Sequence, residues 1–269
     1  MLPIVIPTLK RLHKQLTFYN IPESYRQNIT LVVQPQEEEK AKSMFDNVFV
    51  LSDDDIGMAK TKYELVYEWI INRKQNFWYM DDDLKFLYNY YSDGKLKKKT
   101  LDEETFYQMI TETENWLSNG IVHGSSGTVW TMPEQNYPWT SNSRMNGNCF
   151  FNAKMLDEIW NDIDWFACCG AEDFSVNLQL LIKGYENRVW YKYVNDPGQY
   201  QEGGCATYRD IEYHNNSMRE LQAKFPSFVV LRDKLVKNGP WRDKTKLAAT
   251  ISWKKAYESS QKNTLDNFL

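Results

Sequence analysis

Phe77-Trp78-Tyr79-Met80-Asp81-Asp82-Asp83 is the stretch on which the fold turns. Four large apolar residues followed at once by three carboxylates read as a buried strand that ends abruptly in a polar turn. Upstream, Ile4–Ile6, Ile29–Val33 and Val48–Leu51 share the same short, β-branched and aromatic character. Between Leu51 and Phe77, the segment Met58–Asn72 sets Leu65, Val66, Trp69 and Ile70 on one helical face. Strands alternating with helices predict a parallel sheet with right-handed crossovers. Ligand sites in such sheets gather beyond the carboxyl ends of the strands, which is where the acidic triplet falls.

Further along, Asp102–Leu117 predicts a helix with Phe106, Met109, Ile110, Thr113 and Leu117 along one face. Ile121–Val122, Thr128–Met132 and Asn148–Phe151 read as strands between Gly and Pro turns. Glu172–Lys183 reads as a helix stopped by Gly184, Val189–Val194 as a late strand, and Asn195–Gly204 as a loop. From about His214 the pattern reads as mainly helical. With no internal repeat or linker, the expected organisation is an α/β catalytic domain over 1–213 and a helical extension over 214–269 packed on it.

The chain has 269 residues, 42% hydrophobic and 25% charged, which supports a substantial core and excludes a disordered polymer. No apolar run approaches the ~18 residues of a membrane span and no leader-like segment precedes Ile4, so the expected location is cytoplasmic. The net charge of −4 does not by itself point to nucleic acid. Four cysteines, Cys149, Cys168, Cys169 and Cys205, form no CxxC pair and read as reduced thiols. Aromatic residues reach 15%, with ten Trp and seventeen Tyr, enough for both a core and a stacking surface for sugars or bases.

Three adjacent carboxylates at a strand end repel one another unless a cation sits among them. Asp81 and Asp83 share a side of an extended chain, and hard oxygen donors in an open arrangement suit Mg²⁺ or Mn²⁺. A solvated acidic turn is the alternative. Asp53-Asp54-Asp55, one strand earlier, reads as an N-terminal cap for the helix that follows. Just inside that helix, Gly57 permits close backbone approach and Lys60 is placed to reach a phosphate. Glu172 or Asp173, opening a later helix, is either a cap or a base for an attacking hydroxyl. His214 is a candidate metal or diphosphate contact, whereas His13 and His123 read as structural. Lys95, Lys97, Lys98 and Lys99 form the densest basic strip and are the first candidates for phosphate contact with a polyanion.

Together these features resemble a GT-A-type glycosyltransferase, and more closely the TET-associated glycosyltransferases of phages that hypermodify their DNA. The resemblance is carried by Ile6-Pro7-Thr8…Arg11, Ile56-Gly57…Lys60 and Met80-Asp81-Asp82-Asp83-Leu84 with Asp93-Gly94-Lys95-Leu96. It continues through Glu172-Asp173…Gly184-Tyr185, Gly203-Gly204-Cys205…Arg209 and Phe225-Pro226…Leu231-Arg232. It implies a Rossmann-type, mostly parallel sheet flanked by helices. It implies transfer of a sugar from a nucleotide diphosphate donor, UDP-linked by expectation, to a hydroxymethylated pyrimidine in DNA, 5-hydroxymethylcytosine first. For a phage enzyme the location becomes the cytoplasm of the infected host. On that resemblance Pro7, Thr8, Arg11, Gln34, Gly57, Lys60, Asp81, Asp82, Gly204 and Arg209 border the donor. Asp81, Asp83 and His214 hold Mn²⁺ or Mg²⁺, and Glu172 or Asp173 serves as base if the anomeric configuration inverts. A glycan acceptor is the first alternative. A metal-dependent nucleotidyltransferase is the second, although its glycine-rich phosphate loop is missing after Ile6.

Overall fold

In the computed structural model, residues 1–130, 137–145, 147–168, 170–197 and 203–266 are described, apart from the side chains at 205, 206 and 262–266. The strands are β1 (Ile4–Pro7), β2 (Ile29–Val33), β3 (Val48–Val50), β4 (Phe77–Met80), β5 (Leu84–Ser92) and β6 (Lys95–Thr100). They continue with β7 (His123–Thr128), β8 (Trp139–Ser141), β9 (Asn148–Phe151), β10 (Asn187–Pro197), β11 (Val229–Leu235) and β12 (Thr245–Ile251). The helices are α1 (Leu16–Asn20), α2 (Glu38–Lys42), α3 (Gly57–Tyr67), α4 (Glu103–Ser118), α5 (Ala153–Glu158), α6 (Glu172–Ile182), α7 (Ile211–Lys224) and α8 (Trp253–Asp266).

Among the described residues ten strands form one sheet in the order β3-β2-β1-β4-β9-β7-β10-β5-β6, with β8 added against β10. From β3 through β4 every pairing is parallel, as the strand–helix alternation predicts. Beyond β4 the sheet is mixed, because β9 enters antiparallel to both β4 and β7. Alternation along each strand feeds two cores. Ile4, Ile6, Trp78 and Met80 pack with α4 on one face, while Val5, Phe77 and Tyr79 pack with α3, α5 and α6 on the other.

Strand β7 is His123-Gly-Ser-Ser-Gly-Thr128, entirely buried yet nearly without apolar side chains. It replaces the expected Ile121–Val122 strand and the start of Thr128–Met132, whose last two residues lie outside the described set. Its glycines are needed for space: a Cβ at Gly124 would lie 2.1 Å from the Arg188 carbonyl oxygen, and one at Gly127 would lie 2.6 Å from that of Trp190. Beneath it, His123 Nε2 donates to Asn177 Oδ1 at 3.0 Å, which also accepts from Asn187 at 2.7 Å. Burial pushes the His123 imidazole down to about 4. The unfolded chain takes up that proton near pH 6.5, so stability is full above this value and declines as the pH falls towards 4. A loss of about 2 kcal/mol is expected at pH 5. Thermal melts from pH 7 to 5 should show this slope, and H123Q, which keeps a donor for Asn177, should flatten it.

The C-terminal region corrects one expectation. It is not mainly helical: α7 and α8 are separated by an antiparallel hairpin, β11–β12, in register from Val229↔Ile251 to Leu235↔Thr245. The division expected at 213/214 also falls inside α7. The apolar face of the hairpin (Leu231, Leu247, Ala249, Ile251) packs with α6, α7 and α8 around Leu178, Leu181, Met218 and Leu221. Among the described residues no helix is long and apolar enough to cross a membrane. Cys149 and Cys168 are buried, whereas Cys169 and the side chain of Cys205 lie outside the described residues.

Candidate functional site

A cleft of about 1240 Å³ opens beyond the carboxyl ends of β1, β2 and β4. Its lining joins residues from distant parts of the sequence: Pro7, Thr8, Arg11, Gln34, Gly57, Asp81, Asp82, Asp83, Glu172, Asp173, Gly204, Arg209 and His214. The structure thus gathers every sequence-derived candidate for the donor, the metal and the base except Lys60.

The three aspartates have separate surroundings. The chain turns at Asp82–Asp83 rather than running on extended, so simple alternation does not govern where they point. Asp82 is buried and faces inward. It accepts from Thr8 Oγ1 and from Arg11 Nη1, both at 2.8 Å, so it braces the end of β1 rather than offering an oxygen to a ligand. Arg11 is correspondingly committed, since it also reaches Asp83 at 3.3 Å and the Gly203 carbonyl at 3.0 Å. Gly203 and Gly204 pack closely against the Arg11 side chain. Their φ values of +89° and +58°, with a Cβ approach to Arg11 of 2.9 to 3.0 Å, exclude a side chain there.

Asp81 continues the Phe77/Tyr79 face. Its carboxylate takes the Tyr79 hydroxyl and lies near Lys62, and burial together with Asp83 pushes its acid up to about 7 despite that lysine. Burial and Asp82 likewise raise the Asp83 carboxyl. Asp81 and Asp83 are therefore two cleft-lining carboxylates whose anionic forms are costly without a cation. That donor set fits Mg²⁺ or Mn²⁺ held by two carboxylates, with ligand oxygens completing the shell. Among the described residues no group of three His, Cys, Asp or Glu side chains converges as a self-sufficient metal site.

His214 does not belong with that pair. Its Nε2 donates to the Leu247 carbonyl at 2.9 Å, which leaves Nδ1 as the acceptor for Arg209 Nη2 at 3.2 Å. Both ring nitrogens are engaged, and burial with the neighbouring Arg209 and Lys246 lowers its pKa. The expected metal ligand is instead a neutral imidazole that aims Arg209, whose buried Nε has no partner among the described residues.

On α3, Lys60 is 46% exposed and pairs at 3.8 Å with Glu64, so its expected role passes to a neighbour. Two residues of helix rotate a side chain about 200°, and it is Lys62 that turns into the cleft. Lys62 Nζ meets Glu172 Oε1 at 2.5 Å, and the nearby anions hold its ammonium well above the usual range although burial opposes this. Glu172 is 3% exposed, and its Oε2 has no partner among the described residues. Asp173 is more open and accepts from the Phe174 amide at 2.9 Å. The Asp53–Asp55 run does not cap α3, for Ile56 occupies the N-cap without a side-chain bond.

Sequence reasoning missed Lys62, Arg144, Trp130, Arg232, Lys234 and Lys246, all of which line the cleft. Trp130 is 64% exposed, an open ring at the cleft wall. The basic strip at Lys95–Lys99 lies elsewhere. It is the edge strand β6, paired with the far half of β5, about 13 to 26 Å along the sheet from Leu84, and none of its lysines lines the cleft.

Gly147 sets the position of Asp81. The Asp81 amide donates to the Gly147 carbonyl at 3.0 Å, and a Cβ at Gly147 would fall 1.8 Å from Asp81 Oδ2. G147A should therefore swing that carboxylate aside and lower kcat by about 10²-fold, with little loss of stability because the displaced atom ends a flexible side chain. Steady-state kinetics with a thermal melt checks this, and a wild-type kcat would contradict it.

The sheet and the cleft at its carboxyl edge define an α/β protein with a ligand site walled by charged residues. The chain belongs to the TET-associated glycosyltransferase family, whose model matches residues 2–204. It is a glycosyltransferase. No curated protein matches the chain.

Proposed function

We propose that this glycosyltransferase moves a sugar from a nucleotide diphosphate donor, UDP-linked by expectation, to the hydroxyl of 5-hydroxymethylcytosine in DNA, with Mn²⁺ or Mg²⁺ at Asp81 and Asp83. One observation carries the metal and donor assignment: Asp81 and Asp83 line the cleft at the end of β4, and burial, with the Asp83 charge beside Asp81 and the Asp82 charge beside Asp83, makes their anionic forms costly without a cation. The TET association in the family's description supports a hydroxymethylated base as the acceptor.

When bound, the divalent ion supplies Lewis acidity that offsets charge building on the departing diphosphate. Arg209, aimed by His214, meets the phosphate oxygens. Thr8, Arg11 and Asp82 lock the end of β1 to the start of the acidic turn and so fix the edge against which the nucleotide rests. Trp130 offers a face for a ring to stack on. For an inverting transfer, Asp173 takes the proton of the acceptor hydroxyl as that oxygen bonds to the anomeric carbon and the bond to the diphosphate breaks. Glu172, held by Lys62, is a positioning residue beside it.

A panel of nucleotide sugars offered with hydroxymethylcytosine DNA and Mn²⁺, read by nucleoside mass spectrometry, tests the proposal. The expected product is a glycosylated nucleoside that disappears in EDTA. Untouched DNA with every donor, alongside transfer to a glycan, would refute the acceptor.

A further inference from the structure

Part of the cleft lining is cationic, namely Arg144, Arg209, Arg232, Lys234 and Lys246, and most of that part comes from beyond residue 204, where the family match ends. On the hairpin, Arg232 and Lys234 alternate along β11, and Lys234 stands directly opposite Lys246 of β12. Like charges in that position weaken a hairpin. Burial and the fields of Lys234, Arg209 and Arg144 all lower the pKa of Lys246. Among the described residues none of Arg144, Arg209, Arg232, Lys234 and Lys246 forms an ion pair with a carboxylate. The hairpin segment Val229–Ile251 holds six basic and two acidic residues in a chain whose net charge is −4. An acidic protein thus carries a locally basic ribbon that borders the cleft.

We propose that the β11–β12 hairpin grips the sugar–phosphate backbone of the acceptor DNA, with Arg232, Lys234 and Lys246 as phosphate contacts. This rests on the reading of DNA as acceptor. The extent of the charge favours a polymer over the donor: beyond the cleft-lining Arg232, Lys234 and Lys246, basic residues continue through Lys237, Arg242 and Lys244 in the loop that joins the two strands, and a duplex offers phosphates along its whole length. A nucleoside diphosphate concentrates its charge at one point and would leave the basic residues of the connecting loop unmatched. The lysines opposite one another tolerate their repulsion because an anionic backbone lying across both relieves it. The Lys95–Lys99 strip, outside the cleft and largely occupied by Asp93, Asp102 and the Val129 carbonyl, is not needed for this contact.

The test uses the full chain and the charge reversal K234E/K246E, which keeps a like-charged cross-strand pair and so changes sign rather than strain. Two probes are titrated: a fluorescent hydroxymethylcytosine duplex, followed by anisotropy over a salt series, and UDP with Mn²⁺, followed by calorimetry. The reversal should weaken duplex binding at least tenfold and lower the salt slope by about 2, near 0.9 for each phosphate that is no longer neutralised. Its UDP affinity should stay within twofold of wild type, with an unchanged circular dichroism spectrum. K234A/K246A should show the same weakening in smaller degree, which keeps the test decisive if the reversal fails to fold. Unchanged duplex binding in a folded variant would overturn the hairpin assignment while leaving the acceptor reading intact. Abolished UDP binding with duplex binding retained would also overturn it, assigning the wall to the donor. A wild-type chain that binds UDP but no duplex would overturn the acceptor reading and the hairpin with it.

Discussion

Asp83→Asn should lower kcat/KM in saturating Mn²⁺ by about 10³-fold or more, while the protein melts at or above the wild-type temperature. The kinetic expectation follows from losing one of two carboxylates that hold the ion, a contribution of several kcal/mol to the transition state. The stability expectation comes from the same site: burial and Asp82 raise the Asp83 carboxyl, so its anion is held at a cost that a neutral amide does not bear. The amide oxygen still accepts from Arg11, which sits 3.3 Å from the carboxylate. A folding residue would show the opposite pairing, with reduced stability and retained turnover. Rates with and without EDTA, set beside a thermal melt, separate the two, and full metal-dependent activity in D83N would remove the assignment.

Lys62→Met should destabilise the fold by about 3 kcal/mol, because it leaves the Glu172 carboxylate buried without its cation. Lys60→Ala, removing an exposed i,i+4 pair, should change stability by no more than about 0.5 kcal/mol. Adding Glu172→Gln to Lys62→Met should recover most of the loss, since a neutral amide does not require the ammonium. Urea denaturation of the three variants measures this, and equal effects of Lys60 and Lys62 would show that the buried pair is not what joins α3 to α6.

Strands β2, β4 and β9 stand where their apolar runs put them, β-branched in β2 and aromatic in β4 and β9, because both faces of the sheet are covered and continuous hydrophobicity is the mark of such strands. Strand β7 carries no such mark. Its side chains are small because Phe150 and the backbone of β10 press against it, a requirement set by neighbours distant in sequence. The β5–β6 hairpin was half legible: Asp93-Gly94, with φ values of +54° and +69°, is a strong hairpin turn, yet Lys95–Lys99 has no apolar alternation. The β11–β12 hairpin left a similar trace in Asn238-Gly239, with Gly239 at +86°, but its charged outer face hid the strand period.

The site was legible where function sits on the backbone order. Thr8, Gln34, Asp81 and Asp83 follow strands whose adjacency the alternation predicts, and they meet in one cleft. Lys60 and His214 failed for a different reason. A helix decides by rotation which of two nearby lysines faces inward, and a histidine's role depends on what its two nitrogens already hold. Neither is a property of spacing along the chain.

Crystals grown with Mn²⁺ and UDP, with anomalous scattering recorded at the manganese edge, probe the central claim most directly. A single strong peak is expected between the Asp81 and Asp83 carboxylates, touching both phosphates of the nucleotide. Nucleotide bound in the cleft with no peak there, and both carboxylates turned to solvent, would contradict it.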